Sequence, residues 1–174
     1  LFGKVDIQAD YFTEYRSNIL MDRAQVPASM GLQSPIRANV GEASSKGFEM
    51  SLDYKDNITN DFFVAVRANF SFATSKYEVF EELDYVSAGL PWRSRIGLNL
   101  SQPFGYIAER LFIDEADIAN SPIQTFGDYM AGDIKYKDIN NDGIIDINDE
   151  VPIGYPTTPE IIYGFGTSAS YRNF

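Results

Sequence analysis

Phe62-Phe63-Val64-Ala65-Val66-Arg67-Ala68-Asn69-Phe70-Ser71-Phe72-Ala73 alternates with a period of two. Its even positions are Phe, Val, Val, Ala, Phe and Phe, while the odd ones turn to Ala, Arg, Asn, Ser and Ala. Successive side chains of an extended strand point to opposite faces, so this stretch predicts a strand with one greasy and one mixed face. The eleven residues from Phe62 to Phe72 also match the roughly 9–11 that a tilted strand needs to cross a bilayer's hydrocarbon layer.

Three further stretches repeat the pattern. Val5, Ile7, Ala9 and Tyr11 alternate with Asp6, Gln8 and Asp10, and Phe48, Met50, Leu52 and Tyr54 alternate with Glu49, Ser51 and Asp53. Near the end, Ile161, Tyr163, Phe165, Thr167, Ala169 and Tyr171 alternate with Ile162, Gly164, Gly166, Ser168, Ser170 and Arg172. Two architectures accommodate four such strands. In a soluble sandwich the apolar faces meet in a core; in a transmembrane barrel they face lipid.

Connection lengths favour the barrel. Lys55–Asp61 reads as a short turn, whereas about two dozen residues separate the first two strands and about eighty the last two, the alternation of tight periplasmic turns and long outer loops expected of bacterial barrels. Strands one and three then run outward, and Phe2, Tyr54, Phe62 and Tyr171 fall at the periplasmic rim as an aromatic girdle. Phe62, Val64, Val66, Phe70 and Phe72 face lipid, with Arg67, Asn69, Glu49 and Asp53 toward the lumen. Within the last connection, Arg95–Leu100 alternates again, Phe104–Phe112 continues extended after Pro103, and Glu115–Ile118 reads as a helical turn after Asp114. The first two are expected to form a hairpin or ledge above the membrane.

Composition narrows the chemistry. Thirteen Phe and 11 Tyr against one Trp suit pleated surfaces and membrane interfaces. With no cysteine and no histidine, disulfides, zinc-thiolate sites, cysteine nucleophiles and the commonest general base are all absent. No nucleophile, base and orienting group stand at a recognisable spacing, so no enzyme is expected. A net charge of -11 argues against nucleic acid as a partner, because phosphate recognition needs clustered Lys and Arg. No run of 18 apolar residues marks a membrane helix. The opening Leu1-Phe2-Gly3-Lys4-Val5, without an initiator Met or the stages of a signal peptide, reads as a piece of something longer.

One loop carries metal-ligand spacing. Asp138-Ile139-Asn140-Asn141-Asp142-Gly143-Ile144-Ile145-Asp146-Ile147-Asn148-Asp149 has oxygen side chains at positions 1, 3, 5, 9 and 12 and glycine at 6. Asp138, Asn140, Asp142, Asp146 and Asp149, with the carbonyl of Ile144 at position 7, are the candidate Ca2+ ligands, because a large hard cation takes six to eight oxygens. Asp149 replaces the usual Glu at position 12 and is one methylene shorter. The flanks are not helical in character, so a stapled loop is expected in place of a helix-loop-helix sensor. A solvated Asp/Asn/Gly turn without metal is the plainer alternative.

Other candidates have plain explanations. Glu81-Glu82 and Asp114-Glu115 lack any spacing that would set them across a sugar and read as exposed loop charges. Trp92, Tyr85 and Tyr106 could stack on sugar rings, but a structural role is the favoured reading. Gly164 and Gly166 in a strand point to close backbone packing.

Several of these segments, in this order, resemble the late barrel of the SusC/RagA family. They are Arg23–Pro27, Asn39–Glu42 with Lys46–Glu49, Gly105–Ala108, Gly132–Asp138 with the Asn-Asp-Gly loop, Val151–Gly154 and Pro159–Gly166. The resemblance implies a large TonB-dependent barrel in the bacterial outer membrane that imports glycans or peptides, powered through TonB and capped by a SusD-like surface lipoprotein. The family's plug and TonB box have no counterpart in these residues. The fold class expected is all-β, an antiparallel transmembrane β-barrel segment of about four membrane strands plus long extracellular loops. Residues 1–174 form the partial barrel, and 81–158 a long extracellular excursion containing the calcium-type loop at 138–149. Four strands alone leave two unpaired edges in lipid, so neighbouring strands are expected. The alternative is a soluble calcium-dependent β-sandwich serving as a binding or adhesion module.

Overall fold

A computed structural model describes residues 3–24, 26, 30–31 and 36–172. In chain order the elements are β1 (Val5–Asp22), β2 (Arg37–Thr59), β3 (Phe62–Val79), β4 (Phe104–Gly105), β5 (Ala108–Leu111), helix α1 (Glu115–Ala119), β6 (Ile123–Gln124), β7 (Ile134–Tyr136), β8 (Ile144–Ile145), β9 (Val151–Pro152) and β10 (Ile161–Tyr171). The four long strands form one antiparallel sheet in the order β1-β2-β3-β10.

Register carries the alternation across all four strands. Tyr11, Phe48, Phe72 and Ile161 share one rung, Ala9, Met50, Phe70 and Tyr163 the next, and Ile7, Leu52, Ala68 and Phe165 the third. Because side chains alternate with period two, these rungs make one continuous apolar face. On the opposite face Asp6, Asp53, Arg67 and Gly166 share a rung, followed by Gln8, Ser51, Asn69 and Gly164 and then by Asp10, Glu49, Ser71 and Ile162. The apolar face is open: Tyr11 is 71% exposed, Tyr163 72% and Phe165 82%. No second sheet covers it among the described residues, since the other sheets are two-stranded pieces of a few residues each. A sandwich core would bury these rings, so the soluble-sandwich alternative falls.

The apolar band has membrane dimensions. From Phe62 to Phe72, at ~3.3 Å per residue and a tilt of ~45°, the strand rises roughly 23 Å, close to the ~25 Å lipid-facing band of such barrels. One rung outward the same face turns polar with Thr13, Lys46 and Thr74. The strands continue past it, so β1, β2 and β3 are 18, 23 and 18 residues long, well beyond the alternating cores read from sequence. In β1 the pairing shifts between Arg16 and Ile19, where Asn18 takes a left-handed φ of 58°, a bulge conformation that Asn tolerates better than most residues.

Three sequence readings change. Lys55–Thr59 stays in β2 and pairs with β3, leaving Asn60 and Asp61 as the turn; the polar run had read as loop, but its backbone is committed to the ladder. Tyr54 pairs with Val66 and so stands two rungs in from Phe62, whose partner is Tyr171; Phe2 lies outside the described residues. Arg95–Leu100 builds no hairpin. Its Ile96 makes an isolated parallel bridge to Tyr77, with Gly97 N–H donating to the Tyr77 carbonyl at 2.8 Å and Tyr77 N–H to the Leu98 carbonyl at 3.0 Å. β10 covers the outer edge of β3 only as far as Phe72, and this segment covers it further out, so the excursion shields a strand edge that otherwise invites foreign pairing.

The excursion between β3 and β10 has a small core of its own. β4 pairs with β9, β5 with β7, and β6 runs parallel to β8. Phe112 and Ile145 are fully buried there, and Phe112 stacks on Tyr129 at 5.4 Å between ring centres. Tyr106, Phe126 and Tyr136 form a cluster with centroids 4.6 to 5.8 Å apart. As the sequence indicated, α1 follows Asp114, whose carboxylate accepts the Asp117 N–H at 2.8 Å and caps the helix.

Candidate functional site

The polar face of the four-stranded sheet is the first candidate, because a barrel wall acts through the face it turns inward. β-Alternation puts Asp6, Gln8 and Asp10 of β1 beside Glu49, Ser51 and Asp53 of β2 and Arg67, Asn69 and Ser71 of β3. Arg67 Nε lies 3.0 Å from Asp53 Oδ1, Gln8 donates to Asp10 at 3.0 Å, and Ser71 donates to Glu49 at 3.2 Å. All four lumen-facing residues read from the sequence therefore share this face. Gly164 and Gly166 belong to it too: a Cβ at Gly164 would stand 2.7 Å from Asn69 Oδ1, so the glycine makes room for that amide.

The second candidate is the 138–149 loop. β7 delivers the chain to it, and β8 and a single 3-10 turn at Ile147–Asp149 close it, so its flanks are non-helical. Gly143 and Asn141 supply left-handed φ values of 86° and 58° for the tight bend. The side chains turn onto backbone amides. Asp138 accepts from Asn141 N–H at 2.6 Å and Gly143 N–H at 2.8 Å, Asp142 from Ile144 N–H at 2.8 Å, and Asp146 from Asn148 N–H at 2.7 Å. Asp149, with no exposed surface, accepts from Ile139 at 2.8 Å, Asn140 at 3.4 Å and Asp146 at 2.9 Å. Asn140 donates its side-chain amide to Asp142 at 2.8 Å, and Ile144 lies in β8 opposite Ile123. Among the described residues no three acidic side chains gather around one point. The carboxylates that take these amides keep further lone pairs, so the bonds build the turn and do not exclude a cation.

The remaining sequence candidates other than Glu115, which lies in the first turn of α1, have structural partners. Glu81 pairs with Arg23, Glu82 accepts from the Ser94 hydroxyl and from Arg95 N–H at 2.9 Å, and Asp114 caps α1. Trp92 donates its indole N–H to the Asn148 carbonyl at 2.8 Å, Tyr85 lies under Arg93 at 5.1 Å, and Tyr106 is in the aromatic cluster, where burial chiefly pushes its hydroxyl pKa up. Asp117 is held well below the usual carboxylate range, first by its hydrogen bonds from the Arg110 guanidinium and then by Ile113 N–H, with Lys135 3.6 Å away. Neither this pair nor Glu160 has a sequence signature. Glu160 accepts from the Thr74 hydroxyl and from Asn99 at 3.0 Å, tying the excursion to the wall, and no spacing or period announces such long-range polar contacts.

An open antiparallel sheet with an apolar band of bilayer height, a polar opposite face and strands that overrun the band defines a segment of an outer-membrane β-barrel wall. Two curated proteins of Formosa agariphila are similar over nearly the whole chain: TonB-dependent receptor P26, 25% identical over 98% of it, and TonB-dependent receptor P3, 27% identical over 99%. The chain spans 18% of the length of each. Among solved structures, the RagAB peptide importer matches 97% of the chain in its closed-closed state, with a TM-score of 0.60 and 20% identity, and in its open-open state, with 0.59 and 16%; the chain covers 18% and 17% of those chains. No family model matches. The chain is thus similar in sequence, along nearly its whole length, to part of TonB-dependent receptors, and it shares its fold with part of the RagAB importer. The proteins it resembles are receptors and an importer.

Proposed function

We propose that the whole protein imports a nutrient across the outer membrane, with glycans or peptides as cargo, and that this segment supplies part of the wall. The observation that carries the reading is the shared register of four strands, apolar on one face and polar on the other, in a chain similar along its length to TonB-dependent receptors. A hydrated wall of Asp, Glu, Gln, Ser and Asn side chains suits hydrogen-bonding cargo and repels none of it by hydrophobic exclusion. Energy would come from TonB through a plug, as the similarity to TonB-dependent receptors supports, and a SusD-like surface lipoprotein would cover the outer opening over the 81–158 excursion. Deleting the gene and measuring growth tests the reading. Growth on oligosaccharides or oligopeptides as sole source is expected to fail while growth on the corresponding monomers persists. Unimpaired growth and uptake on every polymer tried would overturn it.

A further inference from the structure

We propose that Lys46 and Lys76 are a docking point for the phosphate headgroups of anionic lipid in the outer leaflet, which rests on the reading of this sheet as a barrel wall. The last rung of the apolar face is Tyr11, Phe48, Phe72 and Ile161. Outward from it the same face presents Thr13, Lys46 and Thr74, and then Tyr15, Ser44 and Lys76. Each rung is two residues along a tilted strand, so the lysines leave the backbone about 5 and 9 Å beyond that last apolar rung. The headgroup layer on either side of the hydrocarbon is about 5–8 Å deep. A lysine stem is long and flexible enough to keep its ammonium within that layer.

The charges around the pair leave one cation uncommitted. Lys46 is exposed and makes no ion pair among the described residues. Lys76 is its diagonal cross-strand neighbour, a spacing of about 7–8 Å on a sheet. Its side chain is half exposed and its Nζ lies 3.1 Å from Glu78 Oε1. Glu78 also accepts the Ser44 hydroxyl at 2.6 Å, and Glu42 accepts the Tyr15 hydroxyl, so both acids of the next rung out are already engaged.

The other end of the same face is different. Its charged side chain is Asp56, and Lys4 pairs with it at 2.8 Å. Uncompensated positive charge on the lipid side of the described strands therefore lies at the outer end, where the leaflet of an outer membrane carries phosphorylated glycolipid. With a net charge of -11 the chain as a whole is repelled by such a surface. Lysines at headgroup height offset that repulsion where the wall meets the phosphates.

Native mass spectrometry of the full-length receptor, released from micelles containing lipid A with its phosphates or the same lipid A dephosphorylated, tests this. The wild type is expected to retain the phosphorylated lipid roughly fivefold or more over the other. Lys46→Gln is expected to lose about fivefold of that retention, and the Lys46→Gln, Lys76→Gln double variant more. Lys46→Arg is expected to keep it, as is Lys55→Gln, which changes a lysine of the opposite face. Equal retention of the two lipids by the wild type would overturn the proposal, as would wild-type retention in the double variant or retention of neither lipid. The growth test of import is independent of all three results. Should the lysine variants fail to fold, the wild-type comparison of the two lipids still decides.

Discussion

Gly47 on β2 lies beneath the ring of Phe12 on β1, its register partner, with no space for a side chain between them. A Cβ at Gly47 would stand 2.5 Å from the Phe72 carbonyl oxygen and against the Phe12 ring, so the glycine is needed for close approach and not for an unusual φ. The aromatic ring covers backbone that the glycine leaves bare, an arrangement that stabilises sheets containing glycine.

Gly47→Ala is therefore expected to destabilise the sheet by about 1–3 kcal/mol, the usual cost of forcing atoms into filled space. Pairing it with Phe12→Ala removes one of the two obstructions and is expected to return part of that loss. A double-mutant cycle on urea unfolding in lipid vesicles measures the coupling. Strict additivity would show that the ring and the glycine do not interact.

Val66 and Arg67 are adjacent in sequence and opposite in environment. Val66 shares a rung with Val5, Tyr54 and Thr167 on the apolar face, and Arg67 pairs with Asp53 on the polar one. Val66→Arg is expected to cost about 2–4 kcal/mol in the bilayer. Arg67→Gln, which removes a well-exposed ion pair, is expected to cost less than about 1 kcal/mol. The same vesicle assay compares them, and comparable tolerance at both sites would count against this assignment of the faces.

This contrast also shows what the sequence discloses. Period-two alternation is local, so the faces of Phe62–Phe72 and Phe48–Tyr54 are visible without coordinates, and the eleven-residue length of the first run already suggests a membrane. Where alternation fades, legibility fades too: Lys55–Thr59 is polar save for Ile58 yet stays in β2 because Phe62–Ala65 offers it a ladder. The loop shows the same limit in chemistry. Asp and Asn at metal-ligand spacing are visible, but the burial of Asp149 and the amides it gathers from Ile139, Asn140 and Asp146 are properties of the packed excursion. Glu160, Thr74 and Asn99 meet across 61 and 86 positions of chain, a separation over which composition carries no signal.

Acid sensitivity of the excursion is expected to trace to Asp117. Its carboxyl titrates below its ordinary range in the folded protein, chiefly through the Arg110 hydrogen bonds. A depressed pKa stabilises the folded state fully above the ordinary carboxylate value, and the gain is lost as pH falls below about 4 toward the depressed value. Arg110→Ala lets Asp117 return toward ordinary behaviour, so the variant is less protected at neutral pH and loses less on acidification. Amide exchange over residues 107–137, corrected for intrinsic rates, reads this. Equal acid losses in both proteins would assign the sensitivity to other groups.

Glu160 holds the excursion to the wall at the point where β10 begins. Its carbonyl accepts the Ala73 N–H at 2.8 Å, continuing the ladder by one bond, and its carboxylate gathers the Thr74 hydroxyl and the Asn99 amide. Hydrogen bonds to a charged group contribute about 1.5–3 kcal/mol, more than neutral ones. Glu160→Ala keeps the backbone bond and deletes the carboxylate, so it is expected to speed exchange at residues 96–101 and 157–160 while leaving β1 and β2 unchanged. Glu160→Gln retains an acceptor oxygen for one partner and is expected to fall between the two. Because Ile96–Leu98 shields the outer edge of β3, the alanine variant is also expected to expose that edge and raise the tendency of the purified protein to self-associate, measured by light scattering in detergent. Unchanged exchange at residues 96–101 would locate the attachment at the Tyr77 bridge alone.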